Sequence, residues 1–204
     1  MKLYYSATSP YARKARVVMR EKRLNDQIEE ILVNPWGEED IVSELRSVNP
    51  LGKVPALTGP QGEPYFDSRV ICAYLDEEGR GAPLIPPSGE DRFRVLRAEA
   101  LADGIVDSAA CIVIENRRPP EKRFQPMLDR WENAISRGVS TMSEALPYLP
   151  RELTLAHIAF AVALGYLDFR VPDLDWRSNH AGLAQWYAGF AERPSLKETA
   201  PPAA

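Results

Sequence analysis

Residues that build metal and redox centres are scarce in this 204-residue chain: two cysteines, Cys72 and Cys111, and two histidines, His157 and His180. Neither cysteine lies in a CxxC pair, which argues against a disulfide framework or a zinc site. No stretch approaches the ~18 apolar residues of a membrane span. The opening residues, Met1 to Ser6, are too short and polar for a signal peptide, so a cytoplasmic protein off the membrane is expected. A basic run is missing too. Lys and Arg total 25 against 29 Asp and Glu, a net charge of −4, which is a poor balance for binding nucleic acid. Two short clusters, Arg13-Lys14-Ala15-Arg16 and Arg92-Phe93-Arg94, read as solvated helix faces. With 45% apolar and 26% charged residues, the chain has a globular composition, long enough for one large domain or two small ones.

Proline, by contrast, is plentiful, with 18 residues. Gly79-Arg80-Gly81-Ala82-Pro83-Leu84-Ile85-Pro86-Pro87-Ser88-Gly89 reads as a linker. The expected organisation is a mixed domain over 1–79, a linker over 80–89 and an all-helical domain over 90–204. The tail from Ala200 is expected to fray.

In the first part, Lys2–Ser6 reads as a strand. Pro10–Arg23 reads as a helix with Ser9 as its N-cap and proline at the first helical position. Ile28–Val33 reads as a strand and Glu38–Ser47 as a helix. Val54–Thr58 and Tyr65–Phe66 read as strands flanking the Gly59-Pro60-Gln61-Gly62 turn, and a helix capped by Asp67 or Ser68 runs to Glu78. The order is βαβαββα. The tight turn requires an antiparallel pair, so the sheet is mixed. The second part reads as a bundle: helices over Asp91–Arg117, Glu121–Leu146, Thr154–Phe169 and Asn179–Glu192. Pro126 predicts a late start or a kink in the second of these. The third is apolar all round and therefore central.

Four motifs in this order carry a resemblance: Ser9-Pro10-Tyr11-x-x-Lys14, Asn49-Pro50-x-Gly52-Lys53-Val54-Pro55, Phe66-Asp67-Ser68-x-x-Ile71-x-x-Tyr74-Leu75, and Thr154-Leu155-Ala156-His157-Ile158-Ala159. From Lys2 to about Pro194 the chain resembles a cytosolic glutathione S-transferase. It is most like bacterial members in which a serine precedes Pro-Tyr or Pro-Phe, as in the plant tau class. The resemblance implies a thioredoxin-like N-terminal domain, an all-α C-terminal domain, a homodimer, glutathione as co-substrate and no metal. The implied function is detoxification, by conjugating the glutathione thiolate to small hydrophobic electrophiles.

An unperturbed thiol ionises near roughly pH 8.5, so such an enzyme must stabilise the thiolate. A helix N-terminus does so through free N–H groups and the helix dipole. The resemblance gives Ser9 the catalytic part, its hydroxyl donating to the sulfur; Ser6 and Thr8 are rivals, and the plain alternative is that Ser9 only caps the helix. It implies a cis Val54-Pro55 bond, with the Val54 N–H and C=O held to the glutathione backbone. Lys53 is assigned the glycyl carboxylate, or else is an exposed edge lysine. Asp67 and Ser68 are assigned the γ-glutamyl amino and carboxylate groups, although Asp-Ser is also a good cap. Tyr11, Asp107, Ser108 and Cys111 are expected to line the electrophile pocket.

Three other functions compete. A thiol oxidoreductase on this fold needs cysteine where Ser9 stands. A glutathione-binding stress or assembly protein without turnover would share every binding residue. A glutathione-dependent isomerase or dehalogenase would share the fold. Arg92, Arg94 and Arg97 are weak candidates to pair with Asp76, Glu77 and Glu78 across a dimer interface. Finally, the family usually has Asp where His157 stands, three residues after the N-cap Thr154. A neutral imidazole can take over that cap, so its pKa should be depressed and His157→Asp should stabilise the fold.

Overall fold

The structure is a computed structural model that describes residues 1–37 and 40–202. The expected helix start at Glu38 and the last two residues of the tail lie outside the described residues. Two compact units form, one from Met1–Ile85 joined by the segment that begins at Pro194, the other from Pro86–Arg193.

The first unit runs β1 (Lys2–Tyr5), α1 (Pro10–Glu21), β2 (Glu29–Leu32), α2 (Asp40–Val48), β3 (Ala56–Thr58), β4 (Pro64–Tyr65) and α3 (Ser68–Glu78). This is the expected βαβαββα order. The sheet is mixed, β2-β1-β3-β4, with β1 parallel to β2 and the other two pairs antiparallel. Side chains alternate between faces. Tyr4 and Ala56, opposite each other in register, share one face and a core with Val42, Leu45 and Val48 of α2. Leu3 and Leu57, the next pair, point to the other face, and α1 and α3 pack on each other.

The Tyr4 side chain is 1% exposed. Its hydroxyl donates to Glu44 Oε1 at 2.5 Å, and Lys2 Nζ donates to the same oxygen at 3.1 Å. Burial, reinforced by that carboxylate, pushes the Tyr4 pKa up to about 12. The bond from Tyr4 in turn holds Glu44 below its ordinary value.

One basic cluster departs from expectation. Lys14 is 2% and Arg16 is 9% exposed, so this face of α1 is not solvated. The cause is a non-local partner set: Arg16 lies over the Tyr5 ring at 4.1 Å and pairs with Glu30 of β2. The cluster on the later helix behaves as expected, with exposed Arg94 paired to Glu90 and Asp91.

Part of the expected linker is fastened to the first unit. The Asp76 carboxylate accepts from Leu84 N and Ile85 N, both at 2.8 Å, and pairs with Lys22 Nζ at 2.9 Å. Lys22 also donates to Ala82 O at 3.1 Å. Lys22 and Asp76 are both buried. Gly79 permits this approach, because a Cβ there would lie 2.4 Å from the Lys22 Cβ.

The second unit is a helical bundle: α4 (Gly89–Asn116), α5 (Gln125–Ala145), α6 (Leu155–Arg170) and α7 (Ala181–Phe190). Pro126 produces the late start, with a single 3-10 turn over Pro120–Lys122 before α5. α4 packs against α5 and α6. Every α6 residue from Leu155 to Leu167 is buried, as its all-round apolar sequence requires. At its start Thr154 N donates to His157 Nδ1 at 3.1 Å, and Thr154 Oγ1 lies 2.9 Å from the same nitrogen. The His157 ring packs near Phe190 and Trp186 of α7, with centroids 6.1 and 6.3 Å away. Burial, aided by the Arg193 charge, pushes the His157 pKa below its ordinary value.

Residues 194–202 depart from the expected domain division. α8 (Pro194–Lys197) packs on α1 and belongs to the first unit. Leu196 and Thr199 are buried there, Ser195 Oγ donates to Glu21 Oε1 at 2.5 Å, and Arg13 Nη2 donates to Leu196 O at 3.1 Å.

Candidate functional site

The topology gathers the candidate glutathione residues at one end of the sheet. Ser9 follows the C-terminal end of β1. Lys53, Val54 and Pro55 precede β3, which runs antiparallel to β1 and therefore begins at that same end. Asp67 and Ser68 follow β4, antiparallel to β3, so it finishes there too. α1 and α3 thus start at one edge, and the positive ends of both helix dipoles open there. Such an edge suits an anion.

Ser9 is the N-cap of α1, with Pro10 behind it in the first turn, and its Oγ accepts from Ala12 N at 3.2 Å. That bond uses an oxygen lone pair. The hydroxyl hydrogen stays available for a ligand, since a serine both accepts and donates. Ser6 and Thr8 are half-buried like Ser9, but only Ser9 occupies the cap. Ser6 also accepts the Ser9 N–H on its backbone carbonyl at 3.1 Å.

The Val54-Pro55 peptide bond is cis. The pairing of β1 with β3 ends at Tyr4 opposite Ala56, so Val54 lies beyond the ladder. Lys53 is exposed and Pro55 is buried. Asp67 caps α3, its Oδ1 accepting from Arg69 N at 3.0 Å. Its carboxylate is exposed, whereas Ser68 is buried. The capping roles foreseen for Ser9 and Asp67 are therefore both present, and each leaves polar capacity at the shared edge.

A supporting residue with no role in the sequence motifs stands behind the Val54 loop. Asn49 is 2% exposed; its Nδ2 donates to Lys53 O at 2.8 Å and its Oδ1 accepts from Leu51 N at 3.1 Å. It fixes the loop that delivers Val54. The signal for it was the Asn-Pro-x-Gly run, since asparagine bonding two residues ahead is standard turn chemistry.

The proposed electrophile residues divide between the units. Tyr11 is half-buried in the first turn of α1. On α4, Asp107 is exposed while Ser108 and Cys111 are half-buried, away from the packed side formed by Ala102, Val106 and Ala109. Ser108 Oγ donates to Gly104 O at 2.9 Å. Burial, with a smaller push from Asp107, raises the Cys111 thiol, which makes it a poor thiolate.

Residues 8–78 match the family model for the glutathione S-transferase N-terminal domain, and residues 121–189 match that for the C-terminal domain. The chain belongs to the glutathione S-transferase family. It is 33% identical to the GST-like protein YibF of Escherichia coli K12, over the whole of both chains. Among solved structures, it is 39% identical to a glutathione transferase family member from Pseudomonas fluorescens Pf-5, over 99% of each chain with a TM-score of 0.92. It is 42% identical to a glutathione S-transferase from Methylobacillus flagellatus KT, over 98% of each chain with a TM-score of 0.91. Both of those structures hold glutathione.

Proposed function

We propose that this glutathione S-transferase family member binds glutathione at the common edge of α1 and α3 and joins its sulfur to a small hydrophobic electrophile. The observation that carries this reading is the convergence of two helix N-termini, capped by Ser9 and Asp67, at one end of the sheet. Asp67 would hold the ammonium of the γ-glutamyl group, and Ser68 with the α3 N-terminus its carboxylate. Val54 would pair with the peptide backbone and Lys53 with the glycyl carboxylate.

Ser9 and the first turn of α1 would favour the thiolate. The thiol proton leaves to solvent and the sulfur lone pair forms the new C–S bond; the C–X bond breaks and its pair departs with the leaving group, or, in an addition, the C=C π pair moves onto the activating group and is protonated from solvent. A charge-assisted bond from the Ser9 hydroxyl is worth roughly 1.5–3 kcal/mol. Tyr11, Asp107, Ser108 and Cys111 are proposed to contact the electrophile. The reading carries with it a cytoplasmic homodimer.

One observation favours binding without turnover: the Ser9 oxygen already has an ordinary capping bond, which would be kept in a non-catalytic protein. Calorimetric titration with glutathione, followed by profiling with aryl halides, organic peroxides and isomerisable diketones, separates these readings. Asp67→Ala and Ser68→Ala should each weaken binding by roughly 1.5–3 kcal/mol; unchanged affinity in both would move the site elsewhere. Ser9→Ala should bind nearly normally and react slowly, because its hydroxyl acts on the thiolate more than on the resting ligand. An unchanged thiolate titration in that variant would reject Ser9.

A further inference from the structure

The segment over residues 194–202 lies far in sequence from every residue of the proposed site. It nevertheless belongs to the first unit. It holds α1 near both ends. Arg13, whose backbone N–H closes on Ser9 O at 2.9 Å, reaches with its guanidinium to Leu196 O at 3.1 Å. In the last turn, Glu21 accepts from Ser195 Oγ at 2.5 Å, and Arg20 Nε pairs with Glu198 Oε2 at 3.1 Å. Leu196 is 1% and Thr199 is 0% exposed. The segment is braced internally by Thr199 Oγ1 donating to Ser195 O at 2.7 Å.

We infer that this C-terminal segment is a positioning strap for the thiolate-stabilising end of α1, with Ser195 and Leu196 as its working residues. The inference rests on the glutathione reading above. A 12-residue helix is about 18 Å long, so a tilt of about 3° displaces its end by about 1 Å. Misplacement on that scale costs on the order of 100-fold in rate. α1 is held to β2 through Arg16 and Arg20, which both pair with Glu30. The strap adds the restraint that β2 does not supply, at Arg13 and Glu21. Binding of the γ-glutamyl end is assigned to α3, so a loosened α1 should affect the sulfur and leave affinity alone.

The test compares wild type with Ser195→Ala, Leu196→Ala and the double variant, with Ser195→Thr as the conservative control. Glutathione affinity of the double variant, measured at a pH low enough that the bound thiol is protonated in both proteins, should stay near the wild-type value. The thiolate absorbance of the bound tripeptide should titrate at higher pH, and kcat near neutrality should fall about tenfold. Amide exchange at Ala12 and Arg13 should speed up, and Ser195→Thr should restore all three readouts. A lower melting temperature with unchanged titration, turnover and exchange would reduce the strap to a staple and overturn the inference. If the double variant does not fold, Ser195→Ala and Glu198→Ala, which each remove one bond, carry the same comparison. If wild type itself binds no glutathione, the functional reading falls, and the strap is judged by exchange at Ala12 and Arg13 alone.

Discussion

His157 caps the start of α6 with a group that titrates. Its Nδ1 must be unprotonated to accept from Thr154 N. Its folded pKa lies below the ordinary value, chiefly through burial. Between the folded value and the unfolded one, near roughly 6.5, the unfolded chain binds more protons. Stability therefore falls as pH drops through that window. Sequence reasoning alone foresees a gain of about 0.5–2 kcal/mol from His157→Asp, the scale of a helix cap. The structure removes the gain: the ring packs against Phe190 and Trp186, and aromatic pairs are worth about 0.5–1.5 kcal/mol beyond their burial. His157→Asp should therefore give no net stabilisation at pH 7, while its stability should be flatter than wild type between about pH 7 and 5.5. Denaturant melts of both proteins at the two pH values check both statements.

Among the elements, α3 depends on partners outside itself. Its buried Asp76 binds the Lys22 ammonium and two backbone amides of residues 84 and 85. Removing one member of a buried ion pair strands the other, at a cost of about 3–5 kcal/mol. Asp76→Ala should be destabilised by that amount in urea melts, and the double variant Asp76→Ala with Lys22→Met should recover part of it. A single-variant loss below about 1 kcal/mol would mean that water replaces the carboxylate. Elements whose cause is local were legible beforehand. Ser9 with Pro10 announces the start of α1, Pro126 the late start of α5, and the unbroken apolar run the burial of α6. Arg16 was misread as solvated because its partners, Tyr5 and Glu30, sit on two different strands. The Asp76 clamp escaped because Lys22 and the amides of residues 84 and 85 lie on other segments, and the return of residues 194–202 to α1 because nothing within a helix turn signals a partner 174 or 183 residues away.

For the whole molecule, the order of elements was readable from local signals, because the turn and the strand–helix alternation leave few arrangements, whereas the grouping of Ser9, Val54 and Asp67 at one site was implied only by the family resemblance of the four motifs. The dimer is a proposal that rests on the family resemblance. Asp76 and Arg94 are satisfied within the chain, which weakens the charge argument across an interface. Light scattering on the eluting peak should return about twice the chain mass; a mass of one chain would overturn the dimer.

The buried hydroxyl of Tyr4 makes this tyrosine an internal reporter in strong base. The chain has eight tyrosines, and an unperturbed phenol ionises near roughly 10. Tyr4, pushed up to about 12, should be among the last to turn into a phenolate, whose ultraviolet absorbance is distinct from that of the phenol. Between those two values the folded chain keeps a proton that the unfolded chain has lost, so each step upward in pH favours unfolding. The late part of the absorbance titration should therefore coincide with loss of the native circular dichroism. In Tyr4→Phe that late absorbance should shrink by the share of one tyrosine, since burial also raises Tyr74 and Tyr166, and the lone Glu44 carboxylate, left with Lys2, should titrate nearer to its ordinary value.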